Sequence, residues 1–542
     1  MSAPDAATGP GPGGPGAQEP AELLAELRGL GVELTVTDGR LTFRAPTGVL
    51  TDPLRQRLRT HRDALLALLT GGQSVRRALT DRQLRIWLLH QRYGGSVGYQ
   101  LGGAFRLHGP LRTDLFRDAV RAAVSQHAAL RTVVAIEQGL PVLVVRERMP
   151  LDVALLDVPG GTDDLVHQLV AEVISQPMDL VDGPLVRVAL LRSGAGQHVV
   201  ALAIHHLVAD DHAVRLFGEQ VMTNYRALAV EAVPVDLLVA RERSDAAEPP
   251  AVDWRADPAL LERVARRRAA LSGVPAPVLP APGPAVSAAS PWAARSLAVR
   301  LDGEAQQAWD RGRRAAGRTS LAVRLAVIGL AVAAAGGPDE LLVGTPGFGR
   351  ENAAQWRTIG YFATTAVVRV ALAGCRTFGD LLAQVADDLN EAWSLQRVPY
   401  EELVGNRSHA VSGGHVLWLV AYLDAPFPEV PGLDVQPVSI QAQQARHDLR
   451  IGIAQRPDGT DLGITYRQAA VSDGFVTDFA AALRNFSARL PAPDALLAEL
   501  TTPPPKGREQ GMLGVADGSA ARLLRVAGRR RGGSRSGQET SS

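Results

Sequence analysis

Apolar residues run without interruption over six positions, Val199-Val200-Ala201-Leu202-Ala203-Ile204. An apolar, partly β-branched run without alternation is typical of a strand that is buried on both faces. Beyond it, apolar residues recur at spacings of three and four, at Val214, Phe217, Val221, Tyr225 and Leu228. This spacing predicts a helix with one apolar face, and either Asp210 or Asp211 is placed to cap its first turn. The pattern therefore predicts a buried strand, a short loop and an amphipathic helix.

A second pattern occupies residues 20–70. Leucines at helical spacing are followed by Gly31, by an alternating segment, by Asp38-Gly39 and by a returning alternating segment. Asp-Gly between two alternating segments indicates a two-residue hairpin turn. Another helix is predicted from Thr51-Asp52-Pro53 onward. We therefore predict a small αββαα domain, and because about fifty residues bury little surface, we expect it to bind rather than to catalyse.

Composition narrows the class of protein. Of the 542 residues, 46% are apolar, 57 are basic and 56 are acidic, so a large core is possible and no global field favours nucleic acid. The single cysteine excludes a disulfide framework and suits the cytoplasm. The N-terminus lacks the features of a signal peptide, and the apolar window from Leu321 to Gly336 is too short to span a bilayer. We expect that window to form a buried helix, and we expect no membrane and no nucleic acid among the partners.

Changes in composition divide the chain. Residues 1–19 are rich in Gly, Pro and Ala, residues 503–542 are rich in Gly, Arg and Ser, and both segments are predicted to be disordered. Residues 71–77 have the composition of a linker. The main body is predicted as a first lobe at 78–247, a Pro- and Ala-rich crossing segment or surface loop at 248–289, and a second lobe at 290–490.

Candidate chemistry is concentrated directly after the buried strand, in His205-His206-Leu207-Val208-Ala209-Asp210-Asp211. Successive residues of a strand face opposite ways, so only one of the two imidazoles can face a given cavity. A neutral imidazole accepts a proton at physiological pH and is the natural general base. Zinc is the competing chemistry, and we reject it because no cysteine and no third histidine lies at ligand spacing. The segment therefore predicts an acid–base site without a metal.

This segment resembles the HHxxxDG signature of nonribosomal peptide synthetase condensation domains, which belong to the chloramphenicol acetyltransferase-like acyltransferases. Five further segments resemble the family's motifs in the same order. They are Leu79-Thr80-Asp81-Arg82-Gln83-Leu84-Arg85-Ile86-Trp87 (the opening motif), Gln126-His127-Ala128-Ala129-Leu130-Arg131-Thr132 ("RHExLRT"), Gly344-Thr345-Pro346 with Gly349-Arg350 ("GTPxxGR"), Ile359-Gly360-Tyr361-Phe362-Ala363-Thr364-Thr365 with Arg369 ("IGxFVNTxxxR"), and Val398-Pro399-Tyr400-Glu401 ("DYPFE"). The resemblance implies an α/β (α+β) fold of two chloramphenicol acetyltransferase-like lobes arranged as a V-shaped pseudodimer.

The resemblance also implies roles for individual residues. The candidate catalytic residues are His206, His205 and Asp210. His206 would face the reaction centre between two phosphopantetheine thioesters, with no cofactor bound by the chain itself. Asp210 would pair with Arg369 and hold the segment from His205 to Asp210, called here the histidine loop, in shape. Asp211 stands where the family has Gly and places a second negative charge beside Asp210. Asp211 and Arg369 are expected to support the structure of the site.

Residues 20–70 resemble the N-terminal docking domains of synthetase subunits, of the type first described in tubulysin assembly. The resemblance is carried by Gly31-Val32, Asp38-Gly39-Arg40-Leu41, Ala45-Pro46 and Gly48. It implies that the hairpin accepts the C-terminal tail of an upstream, carrier-bearing subunit by strand addition. The candidates for reading an acidic tail are Arg40, Arg44 and Arg57. The alternative is a small helical cap with a chance hairpin.

Three functions stay open at this stage. The first is a discrete condensation enzyme that joins a carrier-bound acyl or peptidyl thioester to an amine, which is either soluble or held on a downstream carrier. The second is a non-catalytic condensation-like platform that binds carriers or recruits a tailoring enzyme, suggested by Asp211, by Thr364 in place of the family's Asn and by a weak match at 407–416. The third is an acyltransferase that esterifies a soluble alcohol. Because no adenylation, carrier or thioesterase segment is recognisable, we expect the substrates to arrive on partner proteins.

Overall fold

The computed structural model describes residues 23–61, 75–240, 254–282 and 292–501, with short internal gaps of which the longest is 405–416. The predicted disorder at 1–19 and 503–542, the Asp38-Gly39 turn and the weak motif match at 407–416 lie outside the described residues.

The helices and strands follow one another along the whole described chain. The helices are α1 (Asp52–Thr60), α2 (Asp81–Arg92), α3 (Thr113–Gln126), α4 (Asp163–Ser175), α5 (Asp211–Ala229), α6 (Val235–Ala240), α7 (Pro258–Ser272), α8 (Gly303–Ala315), α9 (Ser320–Ala334), α10 (Ala353–Trp356), α11 (Phe378–Ser394), α12 (Tyr400–Val404), α13 (Asp473–Ala488) and α14 (Leu497–Leu500). The strands are β1 (Glu33–Thr37), β2 (Arg40–Arg44), β3 (Val75–Ala78), β4 (Gln100–His108), β5 (Thr132–Glu137), β6 (Leu140–Val145), β7 (Ala154–Asp157), β8 (Val186–Gly194), β9 (Gln197–His205), β10 (Ala294–Asp302), β11 (Glu340–Gly347), β12 (Thr364–Ala371), β13 (Leu417–Tyr422), β14 (Asp434–Pro437), β15 (Leu449–Arg456) and β16 (Gly459–Arg467).

The N-terminal segment contains the predicted hairpin. Strands β1 and β2 pair antiparallel, with Leu34 opposite Phe43. Its small core consists of Leu23, Leu27, Val32, Leu54 and Leu58. Residues 75–77 of the predicted linker belong instead to strand β3, which begins at Val75 and pairs with β6. Residues 71–74 lie outside the described part of the chain.

The first lobe is built on a five-stranded sheet of order β14-β4-β9-β8-β7. The apolar run at 199–204 forms the interior of β9, where every residue is buried between neighbouring strands. Strand β14 comes from the second half of the chain and pairs antiparallel with β4, Asp434 opposite His108. The two halves of the chain are therefore interlocked through one sheet, which the sequence pattern did not predict.

The second lobe is built on a six-stranded sheet of order β10-β16-β15-β13-β11-β12. Helix α9 packs in its core and is buried from Ala322 to Ala334, which confirms the buried helix predicted from the apolar window. This core continues past the predicted lobe boundary at residue 490, because Leu497 of α14 is also part of it.

The segment 248–289 contains a helix where the Pro and Ala content predicted a crossing segment or loop. Helix α7 begins after Asp257, whose carboxylate accepts hydrogen bonds from two backbone N–H groups, and Pro258 occupies its first turn. Val264 and Leu271 pack against the second lobe. N-capping, Pro at the first position and one apolar face are sufficient for a stable helix in spite of the flanking prolines.

Among the described residues, no single helix has both the length and the apolar composition needed to cross a membrane. Helices α8 and α9 pass that test only as a pair, and they are bent by 108° relative to each other.

Candidate active site

The histidine loop is fixed at the point where β9 ends. The backbone N–H of His206 donates to the carbonyl oxygen of Tyr99 at 2.7 Å. The buried side-chain amide of Gln83, on α2, donates to the carbonyl oxygen of Leu207 at 3.1 Å. The loop is thus held by backbone bonds and by one residue of the opening motif.

His206 is half-buried and has a defined tautomer. Its Nδ1 lies 2.8 Å from the carbonyl oxygen of Ala209. Because a carbonyl oxygen can only accept, Nδ1 carries the hydrogen, and Nε2 is the nitrogen that can accept a proton. The imidazole also contacts the ring of Tyr361 from the second lobe, with 4.6 Å between centroids.

His205 points the other way and is buried, as the strand alternation predicted. Its Nδ1 accepts a hydrogen bond from the N–H of Leu207 at 3.2 Å. Burial lowers the pKa of His205 to about 3, with smaller contributions from His90 and His206. His205 is therefore neutral at physiological pH, and its hydrogen bond supports the loop from behind.

Asp210 caps helix α5 and joins the lobes. Its Oδ1 accepts from the N–H of Ala213 at 2.9 Å, which confirms the predicted N-cap. The same carboxylate accepts two hydrogen bonds from Arg350, at 2.6 and 3.1 Å. Two further N–H donors, from Phe362 and Ala363, lie 3.0 Å from Oδ2. Of these donors, all but Ala213 belong to the second lobe.

The Arg350 guanidinium is fully enclosed, with a side-chain exposure of 0%. Its remaining donors reach the carbonyl oxygens of Gln355, Phe348 and Thr358, at 3.1 to 3.3 Å. A buried ion pair is favourable only when its remaining hydrogen-bonding groups are satisfied in this way.

The predicted pairing of Asp210 with Arg369 is wrong. Arg369 lies within β12, six residues beyond Ala363, which is roughly 20 Å of extended chain. Its side chain is 41% exposed and pairs with Glu340 on the neighbouring strand. The residue that pairs with Asp210 is Arg350, and the signal that could have identified it was its place at the end of the GTPxxGR-like segment.

The segment 359–363, called here the Tyr361 loop, approaches the backbone at Gly349, next to Arg350, very closely. A Cβ atom at Gly349 would lie 2.0 Å from the carbonyl oxygen of Phe362, and the φ of Gly349 is +60°. Glycine is therefore required at this position. From the first lobe, Arg82 donates to the carbonyl oxygens of Phe362 and Ala363, at 3.1 and 2.7 Å. Sequence reasoning missed both Arg82 and Tyr361 as members of the site.

Asp211, the residue at the family's Gly position, has an opposite charge near it. It is the first residue of α5 and is half-buried. Burial lowers the pKa of Arg450, on β15 of the second lobe, and the negative charge of Asp211 acts in the opposite direction. The second carboxylate therefore lies within electrostatic range of the half-buried Arg450.

Another histidine of this region contacts the second lobe. His212 donates through Nε2 to the carbonyl oxygen of Trp356 at 2.9 Å, and its ring meets Trp356 edge-on at 5.1 Å between centroids. The start of α5 is thus held against the second lobe by both Asp210 and His212. No group of three or more His, Cys, Asp or Glu side chains suited to a metal ion occurs among the described residues.

The three candidate arginines of the docking segment are in different environments. Arg44 is exposed at the end of β2, whereas Arg57 pairs with Glu26 at 2.8 Å. The side chain of Arg40 lies outside the described part of the chain.

Comparisons with known proteins agree with this architecture. The family model of the Condensation domain matches residues 75–241 and 262–510, and that of the TubC N-terminal docking domain matches residues 21–70. Beauvericin nonribosomal cyclodepsipeptide synthetase of Beauveria bassiana is 26% identical over 472 residues, which are 81% of this chain and 14% of that protein. Isonitrile lipopeptide synthase of Mycobacterium tuberculosis is 28% identical over 469 residues, which are 82% of this chain and 18% of that protein. The chain thus spans less than a fifth of the length of these relatives.

Solved structures share the fold. The first condensation domain of the calcium-dependent antibiotic synthetase, in complex with a substrate analogue, has a TM-score of 0.65 at 22% identity, with 79% of this chain and 99% of that chain covered. The X-domain from teicoplanin biosynthesis has a TM-score of 0.62 at 22% identity, with 79% and 98% covered. Because the condensation family model matches well over half of the residues, the chain belongs to the condensation-domain family of nonribosomal peptide synthetases and carries a TubC-type docking domain at its N-terminal side.

Proposed function

We propose that the protein forms an amide bond between an acyl or peptidyl thioester, held on a partner carrier protein, and an amine acceptor. The observation that carries this proposal is the setting of His206. Its imidazole is half-buried where the two lobes meet, Nδ1 is engaged by Ala209, and Nε2 is the basic nitrogen of that tautomer. A neutral, oriented imidazole is the group that this acyl transfer needs.

The proposed reaction balances without any further reagent. The amine nitrogen attacks the thioester carbonyl carbon, the carbon–sulfur bond breaks, and the products are an amide and a thiol. Nε2 of His206 takes the proton that the amine loses and returns it to the departing sulfur. General-base catalysis of this kind typically contributes about 10²- to 10⁴-fold, and holding two tethered reactants in place contributes at least as much.

The donor is proposed to arrive through the docking domain. The match to the TubC N-terminal docking domain supports this, and exposed Arg44 offers a positive charge at the end of the hairpin. Tail docking raises the effective concentration of the donor carrier without altering the chemistry. Condensation domains of this family work with carrier-bound substrates, so the proposal places both acyl donor and phosphopantetheine arm on a partner protein.

The test is a reconstitution with the full chain. An upstream carrier subunit loaded with an acyl thioester is mixed with an amine, and the amide is quantified by mass spectrometry for wild type, His206→Ala and the control His167→Ala on helix α4. We expect His206→Ala to lower the rate by about 10²-fold or more, and His167→Ala to behave as wild type. Equal rates of amide formation for wild type and His206→Ala would contradict catalysis at this site. Formation of an ester from an alcohol, in place of the amide, would show that the proposed acceptor class is wrong.

A second candidate function is a non-catalytic platform, and Asp211 is the observation that favours it. A carboxylate at the family's Gly position adds bulk and charge beside the histidine loop. If the protein is a non-catalytic platform, loaded carrier proteins should bind to it, and the wild-type protein should form no amide with any amine acceptor. Binding measured alongside turnover therefore separates the two functions.

A further inference from the structure

The Tyr361 loop is held in place from both sides of its backbone by charged residues of the other lobe. The N–H groups of Phe362 and Ala363 donate to Asp210, while their carbonyl oxygens accept from Arg82. Donors and acceptors of two consecutive residues are thus all used by the first lobe. Such a loop has little freedom, because each of these peptide groups would lose a charge-assisted hydrogen bond if it moved.

The side chain that this arrangement fixes is the phenol ring of Tyr361. Its ring lies against the imidazole of His206, with 4.6 Å between centroids and 59° between planes. Arg82 lies over the same ring, 5.7 Å from the centroid. Tilted aromatic contacts at this separation are favourable, and a cation over the ring adds to them. Tyr361 therefore occupies one side of an imidazole whose Nδ1 is already engaged by Ala209.

The geometry points to Tyr361 as a positioning residue for His206, supported by Arg82. The hydrogen bond to Ala209 fixes one atom of the imidazole, and the Tyr361 ring restrains rotation of its plane. Together they set the direction of Nε2 towards the reacting amine. This inference rests on the proposed function for its kinetic consequence, but the contact itself can be tested without turnover.

The experiment compares Tyr361→Ala and Tyr361→Phe in the full chain, with Tyr400→Ala as a matched control. Tyr400 is also half-buried in the second lobe under an arginine of α2, because Arg85 lies 5.2 Å from its centroid. Rates of amide formation are measured against the concentrations of donor and acceptor. Tyr361→Ala is expected to lower kcat by about 10- to 100-fold with KM nearly unchanged, while Tyr361→Phe and Tyr400→Ala stay within about twofold of wild type.

A spectroscopic measurement keeps this test independent of turnover. With ¹³C-labelled histidine, the ring C–H resonances of His206 are identified by their loss in His206→Ala. Tyr361→Ala should move them by removing the ring current of the phenol, whereas Tyr361→Phe should leave them near their wild-type positions. Unchanged His206 resonances in Tyr361→Ala, or a Phe variant as impaired as the Ala variant, would overturn the assignment. If wild type forms no amide, the proposed function fails, and the resonances still decide whether Tyr361 positions the imidazole.

Discussion

Arg350 and Asp210 form a bidentate ion pair, at 2.6 and 3.1 Å, that joins the two lobes beneath the histidine loop. Both side chains are enclosed, with exposures of 0% and 2%. Removing one partner of such a pair leaves an uncompensated buried charge, which typically costs about 3 to 5 kcal/mol. We therefore expect Arg350→Met to lower the free energy of unfolding in urea by about that amount and to reduce turnover, because the loop that carries His206 would lose its support.

Two further variants distinguish the buried charge from a general packing defect. Arg369→Met removes an exposed arginine whose partner is Glu340, and surface pairs contribute about 0 to 1 kcal/mol. The double variant Asp210→Asn/Arg350→Met removes both charges and should be less destabilised than Arg350→Met alone. Equal losses for Arg350→Met and Arg369→Met would contradict the assignment of the lobe-joining role to Arg350.

The local pattern around the site could be predicted from the sequence, because local rules determine it. An apolar run without alternation defines β9, and spacings of three and four together with Asp210 define the start of α5. The partner of Asp210 depends on how two loops of the second lobe pack, so spacing alone did not distinguish Arg350 from Arg369. The role of Arg82 could not be predicted for the same reason, since its hydrogen bonds to the Tyr361 loop join residues about 280 positions apart in sequence.

Long-range topology was also beyond the sequence pattern. Strand β14 is only four residues long and joins a sheet whose other strands precede it by more than two hundred residues. Nothing in Asp434–Pro437 indicates which edge it will pair with. Helix α7 was not predicted for a different reason. The surrounding prolines indicated a loop, although Asp257-Pro258 is a favourable helix start.

Asp211 gives a prediction on the family's Gly position. Restoring glycine removes a negative charge near Arg450 and from the first turn of α5, so we expect Asp211→Gly to lower stability by about 1 kcal/mol. We also expect no increase in the rate of amide formation. The measurement is urea unfolding together with turnover, and Asp211→Asn serves as the control that keeps the size of the side chain. A rise of tenfold or more in the rate for Asp211→Gly would mean that the carboxylate obstructs the reaction.

The lowered pKa of His127 predicts how the stability of the protein depends on pH. It lies in the RHExLRT-like segment and is buried, and neither ring nitrogen has a hydrogen-bond partner among the described residues. Burial lowers its pKa from 6.5 to about 4, and Arg131 adds to the shift. Between pH 6.5 and 4 the unfolded chain takes up a proton that the folded protein does not, so stability falls as the pH decreases. The contribution is about 1.4 kcal/mol per pH unit and about 3 kcal/mol in total.

The variant His127→Leu removes this proton uptake without breaking a hydrogen bond. We expect the loss of stability between pH 7 and pH 4.5 to shrink by about 2 to 3 kcal/mol relative to wild type. Leu130→Met, a buried neighbour that does not titrate, should shift stability equally at both pH values. His205, whose pKa is lowered to about 3, keeps a residual slope of the same sign in every variant. An unchanged slope in His127→Leu would show that this histidine is not the buried neutral group.

A charge reversal at Arg44 tests whether the hairpin of β1 and β2 binds an acidic tail of the upstream subunit. Its side chain is exposed at the end of β2, whereas Arg57 is already paired with Glu26. Reversing the charge at the edge of an interface weakens association mainly through the encounter rate, so Arg44→Glu should raise the upstream subunit concentration needed for half-maximal turnover by about tenfold. The rate at saturating concentration should not change, because docking supplies effective concentration and not chemistry. Arg484→Glu, an exposed reversal on α13, is the matched control and should leave the concentration dependence as in wild type. The difference between the two variants should also diminish at high salt, since exposed charges are screened. A lower rate at saturating concentration in Arg44→Glu would contradict the docking role and would mean that Arg44 is needed for an intact condensation site.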